Sequence, residues 1–182
     1  VTFVKESKGL TVVYPNGNET MESPSNAAKA QMIRWDNRGV SGNYTLEFSR
    51  DNGTSWQTIA SNIPNAQNYY TWQTLADTVS TSKALIRIST GSIKDVSDNT
   101  FNIAGLVSGI TTLVCDSQVF LRWKTVPATA FYRVYLLENG KMVEKGTPKD
   151  TSFVIKGLQN GKPYWFAVSR KGTNGAESQR SA

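Results

Sequence analysis

The sequence predicts an all-β chain built as two small β-sandwich modules in tandem, divided into residues 1–104 and 105–182. Three observations predict it. A tryptophan-bearing strand followed by a tyrosine-bearing strand occurs twice, through Trp35 and then Tyr44, Leu46 and Phe48, and again through Trp123 and then Tyr132, Val134 and Leu136. Apolar residues recur at every second position, the period at which strand side chains return to one face. Threonine, serine, asparagine and glycine are abundant, while long runs of Ala, Leu, Glu and Lys that would mark helices are missing. A chain of 182 residues has room for two modules of roughly 100 residues each, the usual sandwich size.

In the first half, Leu10 to Tyr14 reads as a strand ended by the turn cluster Pro15, Asn16 and Gly17. The polar stretch from Glu19 to Ala30 has no sustained apolar period. Ile33 and Trp35 then face inward with Arg34 and Asp36 outward, and Tyr44, Leu46 and Phe48 face inward with Thr45, Glu47 and Ser49 outward. Between two alternating runs, Asn52-Gly53 signals a hairpin, because such turns need positive φ. Tyr70 with Trp72, Ala84 with Ile86 and Ile88, and Phe101 with Ile103 supply three more inward sets, about seven short strands in all. The blocks Pro15 to Thr20, Ile33 to Trp35, Leu46 to Gly53, Trp56 to Ile59, Tyr70 to Trp72 and Ile86 to Ile88 together resemble immunoglobulin-like accessory modules of secreted bacterial proteins over residues 10 to 103. Met21 departs from that likeness, standing where those modules carry an aromatic residue.

The second half opens with Gly105 to Gly109 and then alternates, with Val119, Leu121 and Trp123 inward and Phe120, Arg122 and Lys124 outward. Pro127 closes that strand. Tyr132, Val134 and Leu136 form the next, Asn139-Gly140 gives a second hairpin turn, and Phe153 with Ile155 marks a later strand. Leu158, six residues before Tyr164, suggests a tyrosine corner, in which the hydroxyl satisfies a backbone group where the chain crosses between sheets. With Trp123, Tyr132, Leu158 and Tyr164 in these places, residues 106 to 182 resemble a fibronectin type III module. The last strand is weak, since Ala176 to Ala182 carries little apolar content.

Composition narrows the chemistry. Hydrophobic residues at 38% and charged residues at 19% describe a folded chain with a polar surface. No histidine is present, which removes Ser-His-Asp and Cys-His catalysis and every His-ligated metal within the chain. No apolar run approaches the roughly 18 residues of a membrane span, and no signal pattern stands at the N-terminus, so an excised segment is expected. Cys115 alone closes no intrachain disulfide, and beside Asp116 and Ser117 it is expected at a strand end as a passive thiol. Fourteen Asp and Glu are present where glycoside hydrolysis would need a pair, but most fall in turns or on outward faces such as Glu47. No glycine-rich phosphate cradle precedes a helix.

Residues 1 to 104 carry nine Lys or Arg against nine Asp or Glu, whereas residues 105 to 182 carry eleven against five, so the whole +6 lies in the second half. Its lysines are spread over turns and both sheets, which favours a solvated surface over nucleic-acid binding. Asp95, Asp98 and Asn99 cluster in one loop as oxygen ligands for calcium would, and the same residues are default turn formers, the preferred reading. Asn18, Asn43 and Asn52 open N-glycosylation sequons of a length that arises readily by chance.

The best candidate for a ligand-binding surface is Arg133, Tyr135 and Trp165. If Tyr132, Val134, Tyr164, Phe166 and Val168 fill the core, these three face outward from neighbouring strands as an aromatic and cationic patch. Packing against the preceding module or a lysine stem competes with external binding for that patch. The resemblances imply non-catalytic accessory modules of a larger secreted or cell-surface bacterial protein, such as a subtilisin-like peptidase or glycoside hydrolase, that space domains or bind protein. A carbohydrate-binding module stacking sugars on Tyr135 and Trp165 is the alternative. No cofactor, nucleic acid or membrane span is expected, and a monomer with a short, limited bend between its modules is.

Overall fold

A computed structural model describes residues 8–23, 30–73 and 80–181, and these residues form strands and turns with no helix among them. The remaining residues, including part of the polar stretch between Glu19 and Ala30, lie outside the described set.

Nine strands occupy the first half: β1 (Gly9–Tyr14), β2 (Thr20–Glu22), β3 (Gln31–Arg38), β4 (Tyr44–Ser49), β5 (Gln57–Ile63), β6 (Tyr69–Trp72), β7 (Thr81–Thr90), β8 (Ile93–Val96) and β9 (Phe101–Ala104). One sheet has the order β1-β3-β6 and the other β2-β9-β7-β4-β5, with β8 also on β7. The pairing is antiparallel except between β2 and β9. Val12, Ile33 and Trp35 from one sheet meet Leu46, Ile86, Ile88 and Phe101 from the other in a single buried cluster. Met21, the departure from the family likeness, sits fully buried in that cluster beside β9.

Six strands occupy the second half: β10 (Thr111–Cys115), β11 (Gln118–Arg122), β12 (Thr129–Glu138), β13 (Lys141–Gly146), β14 (Ser152–Lys156) and β15 (Phe166–Gly172). They make two sheets, β10-β11-β14 and β13-β12-β15. Val119, Leu121, Trp123, Tyr132, Val134 and Val168 bury themselves in a second, separate cluster. The two tryptophans therefore anchor two interiors, in the same way. Trp35 packs edge-on against Tyr44 with centroids 5.6 Å apart, and Trp123 against Tyr132 at 5.3 Å, a geometry that adds about 1 kcal/mol to area burial. In each, the indole N–H is buried with no acceptor among the described residues.

Local chemistry explains the turns. Asn139 and Gly140 both take positive φ, 50° and 76°, and Glu138 pairs with Lys141 across them, a two-residue hairpin. Asn52 and Gly53 also take positive φ, but their turn spans the seven residues between β4 and β5. Ser49, expected to face outward, is instead buried and turns inward to the loop: its hydroxyl accepts the Gly53 N–H at 2.8 Å and donates to Asp51 at 2.8 Å. The tyrosine corner forms, with the Tyr164 hydroxyl accepting the Gln159 N–H at 2.8 Å and Leu158 packed on the core. Cys115, expected at a strand end, is the last residue of β10 and is exposed, while the rest of that strand has no counterpart among the expected elements.

The weak final stretch completes the second sheet with little apolar content beyond the buried Ala176. Ser178 N and Ser181 N donate to Arg170 O and Val168 O, while the Ser178 and Ser181 hydroxyls accept from Arg170 N at 3.0 Å and Val168 N at 2.8 Å. Serine side chains thereby supply acceptors that a regular strand would provide from its backbone. From β15, Arg170 also reaches the first half. Arg170 is 2% exposed and its guanidinium donates to Gly105 O at 3.0 Å, Pro127 O at 3.4 Å, Thr129 Oγ1 at 3.5 Å and Ser80 Oγ. Asn174 donates to Ser80 O and accepts from Ser82 Oγ, and Gln179 reaches Thr20 O at 2.9 Å.

Candidate functional site

The outer face of β13-β12-β15 carries the candidate residues, because strand parity sends the odd-numbered members of β12 away from the core. Register then sets their neighbours. Tyr135 lies opposite Ala167 and Arg133 opposite Ser169, and Leu137 N donates to Trp165 O at 2.9 Å. Arg133, Tyr135 and Trp165 accordingly share one face, with Trp165 diagonal to Tyr135.

Their exposure differs from the expectation. Trp165 is 59% exposed, whereas Tyr135 is only 6% exposed. The last described residues lie over it: the Arg180 guanidinium stacks on the Tyr135 ring at 4.4 Å, and the Tyr135 hydroxyl sits 3.4 Å from Ser169 Oγ. Arg133 is half-buried, bonded to Glu177 Oε1 at 2.8 Å and 3.7 Å from Glu144 Oε2. Burial alone would depress its ionisation, and the negative charge of Glu177 together with Tyr135 and Glu144 raises it instead. The exposed aromatic and cationic trio is thus corrected to one free aromatic, Trp165, beside a covered tyrosine and an internally paired arginine. Parity identifies faces correctly, but it does not register a segment that folds back across one.

A row missed in the sequence completes the surface. Leu137 faces Met142 on β13 and bonds to Trp165, the residue just before β15, so Trp165, Leu137 and Met142 lie side by side. The signal was available: Leu137 has the parity of Tyr135.

The other sequence candidates have structural partners. Asp95 Oδ2 accepts the Val12 N–H at 2.7 Å, Asp98 Oδ2 accepts from Asn16 Nδ2 at 2.7 Å, and Asn99 N donates to Asn16 O at 3.0 Å. Asp95 therefore lies within β8 rather than in one loop with the other two and bonds to β1 itself, while Asp98 and Asn99 tie the loop after β8 to the turn that follows β1. Among the described residues no three His, Cys, Asp or Glu side chains are gathered as a metal ion would require. Glu47 forms a bidentate pair with Arg87 at 2.6 and 2.8 Å, and Arg87 in turn stacks on Trp56 at 4.1 Å.

No family model matches the chain, and no curated protein matches it. Among solved structures, a two-domain fibronectin type III segment from chicken tenascin aligns with 97% of this chain and 97% of its own at 15% identity and a TM-score of 0.43. An Fn3-like protein from Clostridium thermocellum aligns at 23% identity over 43% of this chain and 85% of its own, with a TM-score of 0.39. The Clostridium perfringens spore cortex lytic enzyme SleM aligns at 24% identity over 42% of this chain and 26% of its own, with a TM-score of 0.34. Likenesses this distant carry no activity or partner across, and the all-β architecture rests on the strands and the two cores described above.

Proposed function

We propose that the chain is a pair of non-catalytic accessory modules that holds neighbouring parts of a larger secreted or cell-surface bacterial protein at a set distance and angle. The single observation that carries this reading is the set of polar contacts between the two halves, in which Arg170 and Asn174 reach Ser80, Ser82 reaches Asn174 and Gln179 reaches Thr20. A freely jointed linker would not bury a guanidinium, because removing that charge from water is costly unless its donors are met. The chain acts as a monomer, and its modules divide at residues 1–104 and 105–182. Residual dipolar couplings on the full chain test the reading: one alignment tensor fitting both modules is expected, and two independent tensors would refute it.

Protein or glycan binding at the Trp165 row is a second reading, supported by the exposure of Trp165 beside Leu137 and Met142. With Tyr135 covered, a sugar would stack on Trp165 alone. Glycan binding that disappears in Trp165→Ala, with unfolding unchanged, would establish it; an array without hits removes it.

A further inference from the structure

The sheet opposite the Trp165 row presents a different surface. β10 is an edge strand, hydrogen-bonded to β11 on one side and, among the described residues, to no strand on the other. Its register with β11 runs unbroken over five pairs, so no bulge twists the edge away. Its sequence, Thr-Thr-Leu-Val-Cys, holds no charge and no proline. Natural edges are normally guarded by such devices, because a row of unpaired N–H and C=O groups is a template for another strand. This edge is also apolar in an exposed setting, with Leu113 64% and Val114 72% exposed.

Side chains on the two faces of β10 specify what would lie along it. On the outer face, Leu113, Phe120 and Val154 form one row across β10, β11 and β14. Arg122 stands in the row on one side, stacked 4.8 Å over Phe120, and Lys156 in the row on the other. Together they border a depression of about 670 Å³. The nine outward positions of this face hold no Asp or Glu, and neither cation has an ion-pair partner among the described residues. On the inner face, Val114 borders a cleft of about 280 Å³ with Leu158, Tyr164 and Phe166.

We propose that β10 accepts an extended acidic segment of a partner protein as an added strand, with the pattern acidic, apolar, apolar, apolar, acidic. The central residue sits opposite Leu113 and covers the Leu113 and Phe120 row. Its two neighbours point to the other face, where one enters the cleft beside Val114. The terminal acids return to the outer face, one within reach of Arg122 and the other in the field of Lys156. Charge selects this occupant over a second copy of the chain: pairing two β10 edges would bring two unpaired Arg122 and Lys156 sets together with no carboxylate to meet them. The inference adds a partner to the spacer reading and does not depend on it.

Cys115 reports on the edge directly, since it is exposed at the end of β10. The full chain is treated with iodoacetamide in the presence of an end-blocked peptide EVLVE or its charge-reversed form KVLVK, and Cys115 alkylation is followed by mass spectrometry. The acidic peptide is expected to slow alkylation at least about fivefold at saturation and the basic one not at all. Arg122→Gln should weaken the acidic peptide about fivefold, Lys156→Gln about twofold, and 0.5 M salt should weaken it further, as for exposed charge pairs. Leu113→Lys places a guard on an already exposed position and should abolish protection, with unchanged circular dichroism showing that the strand remains. Equal protection by both peptides, no protection by EVLVE, or self-protection of the free chain with dimerisation in sedimentation would each overturn the proposal.

Discussion

Asp51 commits both carboxylate oxygens to its own turn. Oδ2 accepts the Ser55 hydroxyl at 2.6 Å, and Oδ1 accepts the Ser55 N–H at 2.8 Å and the Ser49 hydroxyl at 2.8 Å. These bonds favour the charged form and hold the carboxyl at about 2, against an ordinary value near 4. Because the folded value is the lower one, the contribution to stability is complete above about pH 4 and is lost as pH falls towards 2. Glu47 behaves in the same sense, lowered chiefly by its hydrogen bonds from Arg87. The expected outcome is a ¹³C carboxyl titration of Asp51 with its midpoint near 2. In Asp51→Asn the part of the acid-induced decline between pH 4 and 2 due to this residue should vanish, while the part due to Glu47 persists. A midpoint near 4 would show that the turn bonds do not form in solution. The Asn52-Gly53 signal located this turn from sequence, but the inward rotation of Ser49 was not legible, because strand parity ends where a hydroxyl finds backbone donors to satisfy.

At the scale of elements, alternation was the dependable signal. Ile33 with Trp35, Leu121 with Trp123, and Val134 with Leu136 are buried as their parity requires, because a one-residue slip would turn every apolar group to water. β10 escaped notice for the opposite reason: a strand exposed along its whole length has no buried face to create a pattern. The covering of Tyr135 escaped too, since Arg180 acts through a guanidinium stacked on a ring rather than through apolar periodicity. One close approach between strands yields a sharp test. A Cβ added to Gly146, the last residue of β13, would lie 2.4 Å from the Phe153 ring of β14. Phe153 itself packs on the second core, so it cannot withdraw without opening space there. Gly146→Ala is expected to cost about 1–3 kcal/mol, the range for overpacking, and urea unfolding followed by Trp123 fluorescence would measure it. The Trp35 interior should be unaffected; a loss below about 0.5 kcal/mol would mean that the ring swings clear.

Across the whole molecule, the proposed fixed angle between two separately cored halves has to be held by the contacts between them. The first half is electrically balanced and the second carries the +6, so long-range attraction between them is weak. The hydrogen bonds that join them among the described residues include neutral groups on the first half's side: Ser80, Ser82 and Thr20 contribute hydroxyl and carbonyl groups. Arg170 brings the charge, and its burial pulls its ionisation below the ordinary guanidinium value, with Tyr132 opposing that shift. Such a clamp differs from an ion pair in its response to salt. Hydrogen bonds from a buried guanidinium to carbonyls are little screened, whereas exposed ion pairs lose most of their attraction once the Debye length shrinks to about 3 Å at 1 M. Inter-module orientation read from residual dipolar couplings should therefore be the same at 0.1 and 1 M salt. Arg170→Met removes every donor while keeping an unbranched apolar stem, and stability should change little, because a buried charge and its desolvation cost leave together. The shared alignment tensor should nevertheless split in two. Arg170→Lys should give an intermediate result, since one ammonium cannot span Gly105, Pro127 and Ser80 as the planar fork does. If Arg170→Met retains a single tensor, the angle is set by Asn174 and Gln179, and Arg170 is only a buried passenger.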